Sequence, residues 1–130
     1  VHLGQSDLTV SAARQFLGPL AVIGSSNHSV TELRKSCASE VNYVAVGPVF
    51  RTQTKIMSLR PIGLAGVVNA AKRSEDRPLV AIGGISLDQV VPVLEAGANA
   101  VAVISDLLAG GNPERRVKAY LERLASAVPK

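Results

Sequence analysis

The sequence predicts an α/β chain built on a parallel sheet, and three observations carry that expectation. Five short, mostly apolar segments rich in β-formers stand at 1–3, 21–25, 43–46, 79–82 and 100–104, the pattern of strands covered on both faces. Each is followed by a segment with helical periodicity. Strand starts recur roughly every twenty residues, apart from a long interruption at 47–63. Regular alternation of this kind means parallel strands joined by right-handed helical crossovers.

The helices follow in order. The first is expected at 11–17, stopped by Gly18-Pro19. The second begins at Ser29, where Ser29-Val30-Thr31-Glu32 forms a capping box whose hydroxyl and carboxylate satisfy amides at the helix start. Val30, Leu33 and Cys37 share one face of that helix, so Cys37 is expected to be a buried core thiol rather than a nucleophile. The third helix is expected at 64–73. The fourth begins at a second capping box, Ser86-Leu87-Asp88-Gln89, and stops near Gly97. The fifth starts at Asn112-Pro113, a cap residue with Pro in the first helical position, and runs to about residue 125. No linker or low-complexity segment interrupts 1–130.

Composition narrows the function classes. At 130 residues the chain is one domain at most. With 47% hydrophobic and 18% charged residues it is not a disordered chain. No apolar run approaches the roughly 20 residues of a membrane span. No basic segment precedes an apolar core at the start, so no signal peptide is expected. The single cysteine permits no internal disulfide and fits a reducing, cytoplasmic setting. Two histidines and one cysteine cannot make a closed N/S zinc site. The net charge of +4 hints at anionic ligands, although Arg115, Arg116, Lys118, Arg123 and Lys130 read as a solvated terminal face. With no Trp, two Tyr and two Phe, the chain offers few stacking platforms for nucleic acid. It opens on Val1 inside a strand-like segment, and its one methionine is Met57. It is therefore expected to be trimmed, processed or cut from something longer.

A closed eight-stranded α/β barrel needs eight βα units and about 250 residues, so five units cannot close one. Either the sheet is open or the chain is part of a barrel. The polar clusters favour the second. Gly4-Gln5-Ser6-Asp7 follows the first strand, and Ser25-Ser26-Asn27-His28 the second. Thr52-Gln53-Thr54-Lys55 follows the third, Gly83-Gly84 the fourth and Ser105 the fifth. All five clusters would lie on one rim, where barrel active sites sit. Barrels commonly bind phosphate with the loops after their last two strands, which makes these the fourth through eighth units of a (β/α)8 TIM barrel, with the first three absent.

The stretch 43–55 concentrates the chemistry. A β-forming run, Tyr43–Val46, breaks at Gly47-Pro48 and passes into two hydroxyls, Thr52 and Thr54, and the cation Lys55. A strand running into hydroxyls and a Lys suggests an anion site; a solvated loop is the ordinary alternative.

His2-Leu3-Gly4-Gln5-Ser6-Asp7, Gly47-Pro48-Val49-Phe50-Arg51-Thr52-Gln53-Thr54-Lys55, Ala81-Ile82-Gly83-Gly84-Ile85 and Ala102-Val103-Ile104-Ser105 together resemble the thiamine-phosphate synthase family. The resemblance runs in order from Val1 to about Tyr120. It implies a transferase of thiamine biosynthesis that joins hydroxymethylpyrimidine diphosphate to thiazole phosphate and releases pyrophosphate. Mg²⁺ and cations would stabilise the departing diphosphate. By that resemblance Asp7 is a Mg²⁺ ligand, with a helix-cap role as its competitor. Ser26 and Lys55 contact the pyrimidine diphosphate and are the catalytic candidates. Thr52, Gln53 and Thr54 hold the thiazole phosphate, and Gly84, Ile104 and Ser105 complete that site. A glycine at 84 has a simpler explanation too, a positive φ or close packing.

The sequence departs from the family pattern in three ways. Gln53 stands where the family usually has Pro, and Ser25 where it usually has Val. The first half of the barrel, which supplies a Gln, a Lys and another Mg²⁺-binding Asp, lies outside these five units. The chain is therefore expected to need that half or a self-association partner, and its activity alone is doubtful. Two other readings stay open. One is a thiazole tautomerase-like isomerase using His28, although that family usually has His where Pro48 stands. The other is a non-catalytic, phosphate-binding half-barrel.

Overall fold

The computed structural model describes residues 1–53 and 59–127. Among them, five strands alternate with helices: β1 (His2–Leu3), α1 (Val10–Leu17), β2 (Gly24–Asn27), α2 (Val30–Cys37), β3 (Tyr43–Val46), α3 (Gly63–Ala71) and β4 (Leu79–Ile82). A single 3₁₀ turn (Leu87–Gln89) leads into α4 (Val90–Glu95), then β5 (Ala100–Ala102), α5 (Ser105–Leu108) and α6 (Pro113–Ala127). All pairs are parallel and the strand order is sequential, β1-β2-β3-β4-β5. This is the expected α/β architecture, five βα units of a TIM barrel-like sheet. Among the described residues β1 and β5 are its edges.

The register sorts side chains onto two faces. His2, Gly24 and Tyr43 lie opposite one another, as do Ser26 and Ala45; these face the concave side. Leu3, Ser25, Val44 and Leu79 alternate with them and face the helices. The main core lies on that helical side. Ile23, Leu33, Val44, Val67, Leu79, Val90 and Val93 are there almost fully buried. The concave side is only half covered: His2 and Ala100 are exposed and Val80 and Ile82 are intermediate.

Three expected elements differ. The second strand is not 21–25 but Gly24–Asn27, whose residues are mostly polar. Residues 18–23 are held instead by a clasp. Arg14 donates to the carbonyls of Gly18, Pro19, Ala21 and Glu40 and to Asn42 Oδ1, and Ile23 N donates to Asn42 Oδ1 at 2.8 Å. The polar strand survives burial because Asn27 is satisfied. Its amide donates to the carbonyls of Ser25 and Ala45, and its oxygen accepts from Ser36 Oγ at 2.7 Å. The fourth helix is not continuous from Ser86, because Pro92 lacks the N–H that would bond back one turn. The fifth strand stops at Ala102, and Ser105–Leu108 adds a turn of helix the apolar run 100–104 concealed.

The caps follow the expected chemistry with two changes. Ser29 Oγ accepts from Glu32 N, but Glu32 Oε2 accepts from His28 N at 2.6 Å rather than from Ser29. Ser86 N donates to Gln89 Oε1, and Asn112 Oδ1 accepts from Arg115 N. Thr9, not Asp7, caps α1, accepting from Ala12 N. Cys37 is buried on the core face of α2, as its spacing predicts.

Candidate active site

Parallel strands deliver their C-terminal ends to one rim, and an open cleft of about 1130 Å³ lies there. Gly4, Gln5, Ser6 and Asp7 reach it from β1, and Ser26 and His28 from β2. Pro48, Arg51 and Thr52 arrive after β3, Gly83 and Gly84 after β4, and Ile104 and Ser105 after β5. Every strand end therefore contributes.

Most candidate residues are brought together. Asp7, Ser26, Thr52, Gly84, Ile104 and Ser105 all line the cleft. Gln53 is exposed and is not among the described lining residues. Thr54 and Lys55 lie outside the described residues. Ser25 and Asn27, which share a cluster with Ser26 in the sequence, turn to the helical side and are buried. Alternation along β2 separates them from Ser26.

The ends of β3 and β4 touch backbone to backbone. A Cβ on Gly47 would come within 2.1 Å of Ile82 O, and one on Gly83 within 2.7 Å of Pro48 Cα. One on Gly84 would come within 2.4 Å of Arg51 O and 2.7 Å of Phe50 C. Gly83 and Gly84 also have φ of 98° and 67°, where a side chain is strained. The chain does not leave the sheet at Gly47-Pro48: Val49 N and Phe50 N still donate to Ile82 O and Gly83 O. Thr52 is thus carried at a set distance from the Gly83-Gly84 turn. The amides of Gly84 and Ser105 find no acceptor among the described residues. These are donors that a ligand anion can accept.

On the other flank, Asp7, which lines the cleft, has its Oδ2 fixed by a hydrogen bond from Gly4 N at 2.7 Å. Gln5 Nε2 donates to Ser26 O at 2.6 Å and ties the first loop to β2. Ser26 Oγ sits 2.6 Å from His2 Nε2, and His2 Nδ1 sits 2.9 Å from Tyr43 Oη. His28 Nδ1 bonds Gly47 O at 2.8 Å. Sequence patterns missed His2 as more than a motif residue and missed the cations Arg51 and Arg60, which also line the cleft. Register was the available signal for His2, since it places residue 2 beside the strand that carries Ser26. No three His, Cys, Asp or Glu side chains cluster among the described residues as a ready metal site. Asp7 and Glu32 are the carboxylates that line the cleft among the described residues, and Mg²⁺ commonly takes one or two carboxylates and completes its shell with water and substrate phosphates.

Behind Ser105, Asp106 anchors α6. Its carboxylate accepts from Arg116 Nε and Nη2, from Tyr120 Oη at 2.5 Å and from Leu87 N at 3.1 Å. Burial alone would raise its pKa, but the Tyr120 and Arg116 hydrogen bonds and the Arg116 charge outweigh it and hold the carboxyl below its ordinary value. Burial and the same carboxylate push the Tyr120 phenol up.

Parallel βα units with a cleft at the strand ends define a TIM barrel-like α/β protein. The chain belongs to the thiamine monophosphate synthase family, whose profile matches residues 1–107. It is 42% identical to the thiamine-phosphate synthase of Synechococcus sp. (strain CC9311) over 96% of this chain and 35% of that protein. It is 40% identical to that of Koribacter versatilis over 97% of this chain and 58% of that protein. The structure superposes on thiamine phosphate pyrophosphorylase from Pyrococcus furiosus with a TM-score of 0.87 and 29% identity, covering 99% of this chain and 60% of that one. The chain thus spans about a third to just under three-fifths of these two curated relatives. The comparisons favour the synthase over the tautomerase alternative.

Proposed function

We propose that this chain carries the thiazole-phosphate site, and part of the diphosphate site, of a thiamine-phosphate synthase. The observation that supports this most is the cradle formed by Thr52, the Gly83-Gly84 turn and Ser105, whose amides at 84 and 105 have no acceptor among the described residues. A phosphate monoester would accept from those amides and from the hydroxyls of Thr52 and Ser105. Thr54 would extend that grip. Ile104 would give the adjoining apolar wall.

Across the cleft, Ser26 would donate to the diphosphate of hydroxymethylpyrimidine diphosphate, and Lys55 would set a point charge against it. Asp7 would hold Mg²⁺, which when bound neutralises charge on the leaving pyrophosphate. The five-unit sheet would complete this site with a further barrel segment or a second copy of the chain. The proposed setting is cytoplasmic; among the described residues no helix is long and apolar enough to cross a membrane.

The test is chemical-shift mapping of the labelled chain with thiazole phosphate. Perturbations should centre on Thr52, Gly84, Ile104 and Ser105. A folded chain that shows them elsewhere, or none, overturns the proposal. Mixing the chain with the N-terminal segment of a complete relative should then give Mg²⁺-dependent thiamine phosphate, and Asp7→Asn should weaken the Mg²⁺ dependence.

A further inference from the structure

The concave face carries a three-residue relay that the phosphate cradle does not use. His2, Gly24 and Tyr43 lie in register across β1, β2 and β3. Gly24 leaves room for the Tyr43 ring to lie across β2; a Cβ there would sit 2.0 Å from Tyr43 Cζ. Tyr43 therefore reaches over the glycine and stacks on His2, with ring centroids 5.6 Å apart and planes inclined by 25°. Its hydroxyl meets His2 Nδ1 at 2.9 Å, and His2 Nε2 meets Ser26 Oγ at 2.6 Å. Ser26 is fixed from behind by Gln5, which donates to its carbonyl.

A neutral imidazole has one N–H and one acceptor nitrogen. Partial burial lowers the His2 pKa, against the nearby Asp7 charge that raises it. A phenol O–H is the stronger acid and the better donor of the two hydroxyls. Tyr43 therefore donates to Nδ1, and the imidazole proton resides on Nε2. That proton then points at a lone pair of Ser26 Oγ, and the serine's own hydrogen is left to aim elsewhere.

We propose that His2 and Tyr43 are positioning residues that hold Ser26 as a hydrogen-bond donor to an anionic oxygen in the cleft. The relay runs from Tyr43 O–H to His2 Nδ1, and from His2 Nε2–H to Ser26 Oγ. Its use on a diphosphate rests on the role given to Ser26 above. The reverse polarity would make Ser26 a nucleophile activated by an imidazole base.

The experiment uses the full chain with ¹⁵N-labelled histidine and, as probe, inorganic pyrophosphate followed by calorimetry. At neutral pH the ring shifts of His2 should report a protonated Nε2 and an accepting Nδ1. Tyr43→Phe should move the ring toward the other tautomer and weaken pyrophosphate binding on the order of tenfold, the effect of a misdirected hydrogen bond to a charged group. His2→Ala should weaken it similarly. His2→Gln keeps an N–H near the Nε2 position and should recover most of the affinity. Thermal melts identify any variant whose loss is merely unfolding, and the wild-type tautomer then decides in its place. An Nδ1–H tautomer in the wild type, or labelling of Ser26 by diisopropyl fluorophosphate, overturns the relay. So does a folded Tyr43→Phe variant with tautomer and affinity unchanged. A wild-type chain that ignores pyrophosphate counts against the diphosphate role of Ser26, and the tautomer alone then decides the relay.

Discussion

Replacing Asp106 with Asn should cost stability out of proportion to the one atom changed. The carboxylate accepts from both arms of Arg116, from the buried Tyr120 hydroxyl and from Leu87 N. Hydrogen bonds to a charged group contribute about 1.5–3 kcal/mol each when buried. Arg116 is 33% exposed, so its share is discounted for solvent screening. The amide keeps the shape and one acceptor but gives up the charge, and its NH₂ faces a donor. We expect a loss of about 2 kcal/mol in total, or roughly 6–10 °C in Tm for a domain of this size. The pH dependence is more specific. A folded-state pKa held below the unfolded value of about 3.9 contributes stability that is present above that value and lost as pH falls through the folded pKa. Urea titrations at neutral pH and through the acid range should show a shallower acid decline in Asp106→Asn than in the wild type. A variant within about 0.5 kcal/mol of wild type, the ordinary spread of surface substitutions, with an unchanged acid decline, would refute the anchoring role.

Three further outcomes are expected. Ser25 Oγ is buried with no hydrogen-bond partner among the described residues, so Ser25→Ala should be neutral or stabilising by about 1 kcal/mol in denaturant melts; a clear loss would mean the hydroxyl is satisfied. Gly84→Ala should displace the Phe50–Arg51 backbone and strain residue 84, costing about 2–4 kcal/mol and abolishing thiazole-phosphate binding, which a calorimetric titration at low temperature would show. With β1 and β5 unpaired on their outer sides among the described residues, and Phe16 and Leu20 exposed at 87% and 96%, the 130-residue chain should self-associate; sedimentation as a cooperative monomer at micromolar concentration would contradict this.

Much of this arrangement was legible in the sequence because the signals were local. Tyr43–Val46 and Leu79–Ile82 are apolar runs that can only pack as buried strands, and their bounds match. Ser29, Ser86 and Asn112 announce helix starts through side chains that act within four residues. What failed depended on distant partners. Gly24–Asn27 has poor strand composition, and it becomes a strand because Tyr43 covers Gly24 and Ser36 satisfies Asn27. Residues 21–23 look like a strand until Arg14 and Asn42 claim them. In the site, motif spacing found the residues on the rim but not the direction of each side chain. Ser25, Ser26 and Asn27 are equivalent by composition and separate only once the pleat is known. The relay through His2 needed register between three strands.

The sequential strand order has a consequence for how the chain comes to exist. Gly24 pairs with Tyr43, Val44 with Leu79 and Val80 with Ala100, so every strand docks on the one made just before it. No pairing among the described residues has to wait for a distant part of the chain. Each βα unit can settle as it emerges during synthesis, which keeps loop-closure entropy low at every step. The same geometry leaves the growing edge open at every stage, so whatever meets that edge first, whether the next unit or a neighbouring chain, is free to extend the sheet.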